Sequence, residues 1–324
     1  MKTRVFNRHL AALLVLLLAG SSMPAFAQTL QLVSAPDSSQ IATAGGGGDS
    51  GAPVISPDGH YVLFASAAGN LVLSTNNTAF QPRFPTTLNV FLRDRTNGTT
   101  TLVSVNLTGT SGGNGDSLPV DLSTNGHYAV FESSASDLVL GDTNGVTDIF
   151  VRDLAQGTTI LVSVSTNGSM GNGASRSAAM TPDGRYVAFV SAANNLVAAD
   201  TNGIADVFVR DLQAGVTTLA SVGAALVSTS SGSESPDITP DGRYVAFSST
   251  ATNLVAGVPN AQDIYVRDLV GGTTIWASTG AGAAALSVLN ATRVVCCNHA
   301  ISADGKFVAY CLVIGIGYTC RSEE

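Results

Sequence analysis

The sequence contains few charged residues, few aromatic residues and few cysteines. Of its 324 residues, 12% are charged and 6% are aromatic, whereas an average soluble domain has roughly 25% charged residues. The chain is acidic, with a formal net charge of −8, and it has no basic cluster. Binding to nucleic acid and to anionic membranes depends on such clusters. We therefore expect the partner to be neither nucleic acid nor a membrane surface.

Long hydrophobic runs are also lacking. No stretch has the roughly 20 unbroken apolar residues that a membrane helix needs. The N-terminus has three basic residues among its first eight, a shorter apolar run over residues 10–19 and a small-residue site at Ala25–Ala27. This is the pattern of a secretory signal peptide. We predict a signal peptide over residues 1–27 and export of the remaining chain to the periplasm or the medium.

Sustained 3.6-residue periodicity is absent after residue 27, which argues against helical and α/β folds. The chain instead repeats one unit five times. The motif SPDGHYVLF at Ser56 returns in related form at spacings of 67, 58, 58 and 63 residues. Four units continue with a motif like DIFVRDL and then with one like TILVSV. Each unit therefore predicts about four short strands, the first two joined by a tight turn at an Asp-Gly or Asn-Gly pair.

The second strand of each unit is apolar on both faces. In RYVAF, Tyr186 and Ala188 lie on one face, and Val187 and Phe189 lie on the other. Such a strand must be covered on both sides, and a β-propeller covers it because each blade packs between two others. We predict a single all-β propeller domain over residues 28–324, with five four-stranded blades that begin near residues 50, 117, 175, 233 and 296.

The segment LQLVSA, Leu30 to Ala35, resembles the third motif of a unit but precedes the first blade. The last unit, by contrast, reaches Glu324 soon after its second strand. We predict that the N-terminal strand completes the last blade and closes the ring, which removes open sheet edges. An incomplete six-bladed propeller is the alternative.

The stretch GDSGAP around Ser50 resembles the nucleophile motif of trypsin-like proteases. Such a protease needs a histidine base and an acid that orients it. The trypsin-like order places both before the serine, where the only histidine is His9 of the predicted signal peptide. A second GDS stretch begins at Gly115, just before the second blade. We therefore interpret Ser50 as part of the turn that leads into a blade.

The motifs SPDGHYVLF, TPDGRYVAF and DVFVRDL resemble the TolB-like, or WD-repeat-like, β-propeller repeats of the bacterial envelope. The resemblance spans essentially the whole chain after residue 27. It implies an exported, non-enzymatic propeller that binds a protein or another envelope component. A calcium-dependent carbohydrate-binding module is an alternative. A propeller hydrolase or lyase is less favoured, because the three histidines after residue 27 are scattered over different blades.

Residues that differ between repeats are better candidates for function than residues that recur. The Arg-Asp pair of the second motif recurs in four units and predicts structural hydrogen bonds. The loops GDTNGVTD and ADTNGIAD occur in two units only, and their Asp-x-Asn-x-x-x-Asp spacing resembles the start of a calcium loop. Asp and Asn also close turns without a metal. The candidate Ca²⁺ ligands are Asp142, Asn144, Asp148, Asp200, Asn202 and Asp206.

All four cysteines lie in the last 29 residues. Disulfides are common in exported proteins, and pairing of each adjacent cysteine with a later one is favoured over a vicinal bridge. We predict two structural bridges, with the pairing left open, and a cysteine-rich metal site is the alternative. The residues concerned are Cys296, Cys297, Cys311 and Cys320.

An insertion in the first unit, Thr78 to Leu88, interrupts the repeat with aromatic and arginine side chains. These residue types dominate the hot spots of protein interfaces. We predict partner contacts by Phe80, Arg83 and Phe84. A loop that packs back on the propeller is the alternative.

Overall fold

The computed structural model describes residues 31–35, 47–72, 87–198, 200–225, 232–251, 253–258, 262–280 and 294–314. The chain divides into two compact units, Met1–Leu32 and Val33–Glu324, and the described strands all belong to the second. The predicted signal peptide lies outside the described residues. A helix long and apolar enough to cross a bilayer does not occur in these ranges.

The described strands form four four-stranded sheets and one two-stranded sheet, in which strands follow chain order and pair antiparallel. Sheets 1 and 2 contain β1 Ser50–Ile55, β2 Tyr61–Ser66, β3 Asn89–Asp94, β4 Thr99–Leu102, β5 Ser117–Leu122, β6 Tyr128–Ser133, β7 Asp148–Asp153 and β8 Thr158–Leu161. Sheets 3 and 4 contain β9 Ser175–Met180, β10 Tyr186–Ser191, β11 Asp206–Asp211, β12 Val216–Leu219, β13 Ser233–Ile238, β14 Tyr244–Ser249, β15 Asp263–Asp268 and β16 Thr273–Trp276. Sheet 5 contains β17 Val294–Ile301 and β18 Val308–Ile314.

The first hairpin of each sheet turns where the sequence predicts it. In sheet 3, the hydroxyl of Thr181 donates to Asp183 at 2.6 Å, and the N–H of Gly184 donates to the Thr181 carbonyl at 2.8 Å. Gly184 has a φ of +78°, which glycine adopts at little cost. The same turn recurs in the other sheets, so local sequence determines where β9 ends and β10 begins.

The first strands of successive sheets lie side by side. Strand β1 packs on β5, β5 on β9, β9 on β13, and β13 on β17. Strands β5, β9, β13 and β17 also pack on the second strand of the preceding sheet. The sheets are therefore blades around a common centre lined by their first strands, which we call the inner strands. The predicted all-β propeller architecture is confirmed.

Apolar side chains fill the space between blades. In blade 3, Val187, Ala188 and Phe189 are all fully buried, so both faces of β10 are covered, as predicted. Phe189 stacks on Phe208 of the adjacent strand at 5.8 Å between ring centroids. Burial of one such side chain contributes roughly 1.5–3 kcal/mol, and equivalent aromatic pairs occur in blades 1, 2 and 4.

A tyrosine from each of blades 1 to 4 packs on a glycine of the next blade. The Tyr128 ring lies so close to Gly184 that a Cβ on the glycine would be 2.2 Å from it. The other pairs have the same close approach and are Tyr61 with Gly126, Tyr186 with Gly242, and Tyr244 with Gly305. The Asp-Gly and Asn-Gly pairs thus allow close packing between blades as well as a turn.

The N-terminal residues of the second unit contact blade 1. Val33 packs against a buried cluster of this blade that includes Phe64 and Phe91, and the Thr100 hydroxyl donates to the Ala35 carbonyl at 2.9 Å. Residues 33–35 are not in a strand. Their contact with blade 1 matches the contact between the end of blade 2 and blade 3. There, the hydroxyl of Thr217 in blade 3 donates to the carbonyl of Val164 at the end of blade 2. Completion of the last blade by this segment stays a prediction.

The last described blade lacks a neighbour on its far side among the described residues. Phe307, which stands where the other blades have tyrosine, is 72% exposed. Gly59, the equivalent glycine of blade 1, has no aromatic ring close to it in the described part of the chain. These two residues mark the faces that a closed ring would bring together.

Candidate functional sites on the inner strands and acidic loops

The recurring Arg-Asp pairs have structural roles. The guanidinium groups of Arg93, Arg152, Arg210 and Arg267 each donate to a threonine hydroxyl of the neighbouring strand at 2.9–3.1 Å. The aspartate of each pair accepts from backbone N–H groups of the next turn, as Asp211 does from Gln213 and Ala214. In blade 3, Arg185 also binds Asp211 at 2.8 Å. The sequence prediction of structural hydrogen bonds is therefore confirmed.

Ser50 occupies the structural position that the repeat predicts. Its hydroxyl donates to Ser66 at 2.9 Å. The equivalent serines of the next three blades make the same contact at 2.8–3.0 Å, in the pairs Ser117 with Ser133, Ser175 with Ser191, and Ser233 with Ser249. Ser50 thus ties an inner strand to the second strand of its blade.

The second residue of the inner strand varies among blades 1 to 4. It is Gly51, Leu118, Arg176 and Glu234 in β1, β5, β9 and β13, and we call these four residues the variable row. The first residue of the same strands is always serine, and the last is always apolar. Arg176 and Glu234 pair at 2.8 Å and are 43% and 49% exposed.

The residue after the variable row has an unusual backbone conformation in three of these blades. Ala52, Ser177 and Ser235 have φ values of 48–53° and stand where the inner strand bulges away from its partner. A non-glycine residue in the left-handed region costs roughly 1–2 kcal/mol. The rest of the fold must therefore offset this cost in three blades.

Carboxylates at the centre connect neighbouring blades, and the sequence analysis did not identify them. Asp121 accepts from the N–H of Met180 at 2.7 Å, and Asp237 accepts from the N–H of Ile301 at 2.9 Å. Burial raises the pKa of Asp121, and the charge of Asp237 raises it further. The sequence signal that could have identified them is an aspartate as the fifth residue of two inner strands, β5 and β13.

Two further polar groups lie at the centre. Glu132 accepts from the N–H of Ser177 at 2.6 Å, and burial raises its pKa. His299 stands on β17, where burial lowers its pKa. Neither ring nitrogen of His299 makes a hydrogen bond of normal geometry in the described part of the chain, although the backbone of Ala246 and the charge of Asp237 act on the ring and partly offset the effect of burial.

The acidic loop before β11 forms a buried polar network. Asp200 and Asp206 are both buried. The Asn202 amide donates to Asp206 at 2.6 Å and to the Ala224 carbonyl at 3.1 Å, and its oxygen accepts from the N–H of Ile204 at 3.0 Å. Both ends of the Asn202 amide are thus used in closing the turn.

Asp206 is the most perturbed carboxyl group of this loop. Burial raises its pKa to about 6, and the charge of Asp200 adds to the shift. The Ser221 hydroxyl donates to Asp206 and accepts from the backbone N–H of Val207. Burial also raises the pKa of Asp200. The loop therefore holds two carboxyl groups whose charged forms are disfavoured.

Blade 2 repeats this arrangement. The Asn144 amide donates to Asp148 at 2.6 Å and to the Gly171 carbonyl at 3.0 Å, and the Ser163 hydroxyl donates to Asp148. Burial and the charge of Asp148 raise the pKa of Asp142. Each loop thus brings together the aspartates that the sequence predicted as ligands, while the asparagines orient them.

Within the described residues, no cluster of three or more His, Cys, Asp or Glu side chains could hold a metal. Each acidic loop offers two carboxylates, because its asparagine amide is engaged within the turn. The Ca²⁺ prediction for these loops therefore depends on a smaller set of protein ligands than a calcium loop of six or more oxygens provides.

The cysteine-rich segment forms the hairpin of blade 5. Cys296 is buried and free, and Cys311 is exposed and free, so the structure contains neither predicted pairing, since both require these two thiols. The backbone of Cys297 lies directly opposite that of Cys311, and Cys320 lies outside the described residues. The formation of two bridges stays a prediction.

The remaining predicted contact residues, Phe80, Arg83 and Phe84, lie outside the described residues. Of the insertion that carries them, Thr87 and Leu88 are described, and the Leu88 N–H donates to Asp116 of the next blade at 2.9 Å. The role of this loop in partner binding stays a prediction.

Comparison with known proteins gives matches among solved structures alone. No family model matches the chain, and no curated protein matches it. The TolB protein of Acinetobacter baumannii is similar at 18% identity and a TM-score of 0.39, over 69% of this chain and 42% of that one. A putative TolB from Agrobacterium tumefaciens is similar at 17% identity and a TM-score of 0.39, over 71% of this chain and 80% of that one.

Enzymes are also among the similar structures. An oligogalacturonate lyase from Vibrio parahaemolyticus is similar at 13% identity and a TM-score of 0.45, over 80% of this chain and 57% of that one. At these identities and TM-scores the likenesses carry no argument about activity. TolB structures are nevertheless among those to which the chain is similar, as its repeated motifs predicted.

Proposed function

We propose that this chain is an exported, non-enzymatic β-propeller that binds a protein or another cell-envelope component on its inner strands. The variable row carries the proposal. Its backbone position is the same in four blades, while its side chain changes from glycine to leucine, arginine and glutamate. Repeat proteins bind partners through varied positions on a constant framework.

The chemistry of the variable row favours a protein partner. Leu118 is 43% exposed, and Arg176 and Glu234 keep much of their side chains in solvent. An exposed ion pair contributes little to folding stability, about 0–1 kcal/mol. An apolar group beside an arginine and a carboxylate is the mixed surface that protein interfaces use.

The central carboxylates support a binding role over a catalytic one. Asp121, Glu132 and Asp237 each accept a hydrogen bond from the backbone of another blade. A general acid or base must be free to exchange its proton with a substrate. In this structure the same oxygens hold neighbouring blades together.

Export follows from the N-terminal pattern and is proposed with the binding role. Cell fractionation of the full chain and of a variant without residues 2–27 tests it. We expect the full chain outside the cytoplasm and shortened by the signal peptide, and the variant in the cytoplasm. Recovery of the full chain at its uncleaved mass in the cytoplasm would contradict export.

Affinity capture from envelope extract tests the binding surface. The immobilised wild-type protein is compared with Arg176→Glu, which places two like charges side by side, and with the double exchange Arg176→Glu/Glu234→Arg, which keeps an ion pair but reverses its direction. We expect both variants to retain at most a tenth of the captured partner. Circular dichroism and melting temperature establish that they fold.

Gln213→Glu is the matched control, because it adds one negative charge on an outer hairpin of the same blade as Arg176. This variant should capture as much partner as the wild type. If all three variants capture equally well, the variable row is not the binding surface and the proposal is wrong.

A further inference from the structure

The acidic loop of blade 3 contains a buried carboxylate without a partner. Asp200 is only 5% exposed, and neither of its side-chain oxygens has a hydrogen-bond partner. The backbone N–H of Asn202 lies near it and favours its charged form, without a hydrogen bond of normal geometry. Buried polar groups in folded proteins are nearly always paired, and a buried unpaired charge is costly.

A second buried carboxylate lies beside the first. Asp206 is fully buried, and the charge of Asp200 acts on it directly. No lysine, arginine or histidine among the described residues offsets the raised pKa of either aspartate. Asp211 of the same blade, by contrast, is paired with Arg185 at 2.8 Å. The loop therefore concentrates negative charge with nothing from the described protein to neutralise it.

The orientation of Asp206 is fixed by its neighbours. One oxygen accepts from Ser221 and the other from Asn202, so each keeps a lone pair available. The Asn202 amide is itself held by the Ala224 carbonyl and the Ile204 N–H. These contacts hold the Asp206 carboxylate in place near that of Asp200, neither oxygen of which accepts a hydrogen bond.

Other blades lack the acidic pair. Blade 1 has Asn89 where blade 3 has Asp206, and Ser104 donates to its oxygen at 3.0 Å. Blade 4 keeps the acid as Asp263, but glycine stands six residues before it, at Gly257, where blade 3 has Asp200. Trp276 and Ser278 donate to Asp263 instead, at 3.0 and 2.8 Å. The fold of a blade therefore does not require two acids here.

We propose that Asp200 and Asp206 bind a hard divalent cation, Ca²⁺, in the loop before β11. Carboxylate oxygens are the preferred ligands of Ca²⁺, and bound water completes the shell where a protein supplies few ligands. Asn202 and Ser221 are positioning residues that orient Asp206. Blade 2 repeats the network around Asp148 with Asn144 and Ser163 and buries Asp142 near it, so the proposal extends to Asp142 and Asp148.

Calcium binding to the full chain tests the proposal. Chelator-treated protein is titrated with CaCl₂ at pH 7.5, in parallel with MgCl₂, and bound metal is counted by equilibrium dialysis. We expect two equivalents of Ca²⁺ for the wild type, one for Asp200→Asn and none for Asp142→Asn/Asp200→Asn. The melting temperature of the wild type should rise with Ca²⁺ concentration, because a ligand that binds only the folded state stabilises it.

Asp263→Asn is the matched control, since it replaces the acid of a blade that lacks a second one, and Asn89 shows that a blade accepts asparagine there. This variant should bind as much Ca²⁺ as the wild type. Asp206→Asn provides a second test of the site should Asp200→Asn fail to fold.

Two results would overturn the proposal. The first is a wild-type protein that binds no Ca²⁺ and melts at the same temperature in millimolar CaCl₂ and in chelator. In that case a proton, rather than a cation, neutralises the pair. The second is a folded Asp200→Asn variant that binds as many equivalents as the wild type.

Discussion

Replacement of one glycine tests how the blades pack on each other. In Gly184→Ala, the new methyl group would lie 2.2 Å from the Tyr128 ring of the preceding blade, which is far inside van der Waals contact. The φ of +78° adds the strain of a left-handed alanine, about 1 kcal/mol. Tyr128 packs against the cluster between blades 2 and 3, so its ring moves only if that interface opens.

The expected cost follows from these two contributions. Overpacking in a well-packed region costs about 1–3 kcal/mol, so Gly184→Ala should lower the free energy of unfolding by about 2–4 kcal/mol. Gly168→Ala is the matched control. Gly168 has a φ of +83° with nothing within 4 Å of its Cβ position, and its N–H donates to the residue three before it, as in Gly184. It should cost about 1 kcal/mol.

Urea unfolding at equilibrium measures the difference, with the slope of each transition checked against the wild type. Removal of the ring in Tyr128→Ala should make the cost of Gly184→Ala similar to that of Gly168→Ala, because the two substitutions share one contact. Equal costs for Gly184→Ala and Gly168→Ala in the wild-type background would refute the packing of tyrosine on glycine between blades.

Three further predictions concern single side chains. Arg243 lowers the pKa of Asp268 through a direct contact. The pair therefore stabilises the fold above the unfolded pKa of about 4, and this stabilisation is lost as the pH falls through the folded pKa. Asp268→Asn should lower the melting temperature at pH 7, and this decrease should become progressively smaller below a pH of about 4. Burial raises the pKa of Cys296 to about 11, so after reduction iodoacetamide at pH 8 should label exposed Cys311 and leave Cys296 unlabelled until denaturant is added, and equal labelling rates would contradict this. Thr217 accepts from Arg210 and donates to the carbonyl of buried Val164, so Thr217→Val should cost about 1–3 kcal/mol in urea unfolding because a buried carbonyl loses its hydrogen bond.

The fold could be predicted because each repeat carries the same turn residues and the same pattern of apolar residues. Asp-Gly and Asn-Gly pairs locate the turns, and strands apolar on both faces, such as Tyr186–Ser191, require cover from two sides. Repetition of these signals five times left few architectures compatible with the sequence. The acidic loops were identified for a related reason, since they interrupt the repeat.

Other features depend on contacts between blades, and sequence spacing does not reveal them. Asp121 accepts from Met180, 59 residues later in the chain, and nothing in the local sequence links the two. Cys296 and Cys311 are free, although the hairpin register places Cys297 directly opposite Cys311, so the sequence positions of the cysteines do not decide their pairing. The asparagines were predicted as ligands, whereas Asn202 uses both ends of its amide within the protein.

The proposal that a partner binds the inner strands is tested most directly by locating the bound partner on the surface. Hydrogen exchange of the free and partner-bound protein, followed by mass spectrometry of peptides, gives the protection of each strand. We predict that binding protects peptides from β5, β9 and β13, which carry Leu118, Arg176 and Glu234. Protection confined to the outer strands β4, β8 and β12, with the inner strands unchanged, would contradict it.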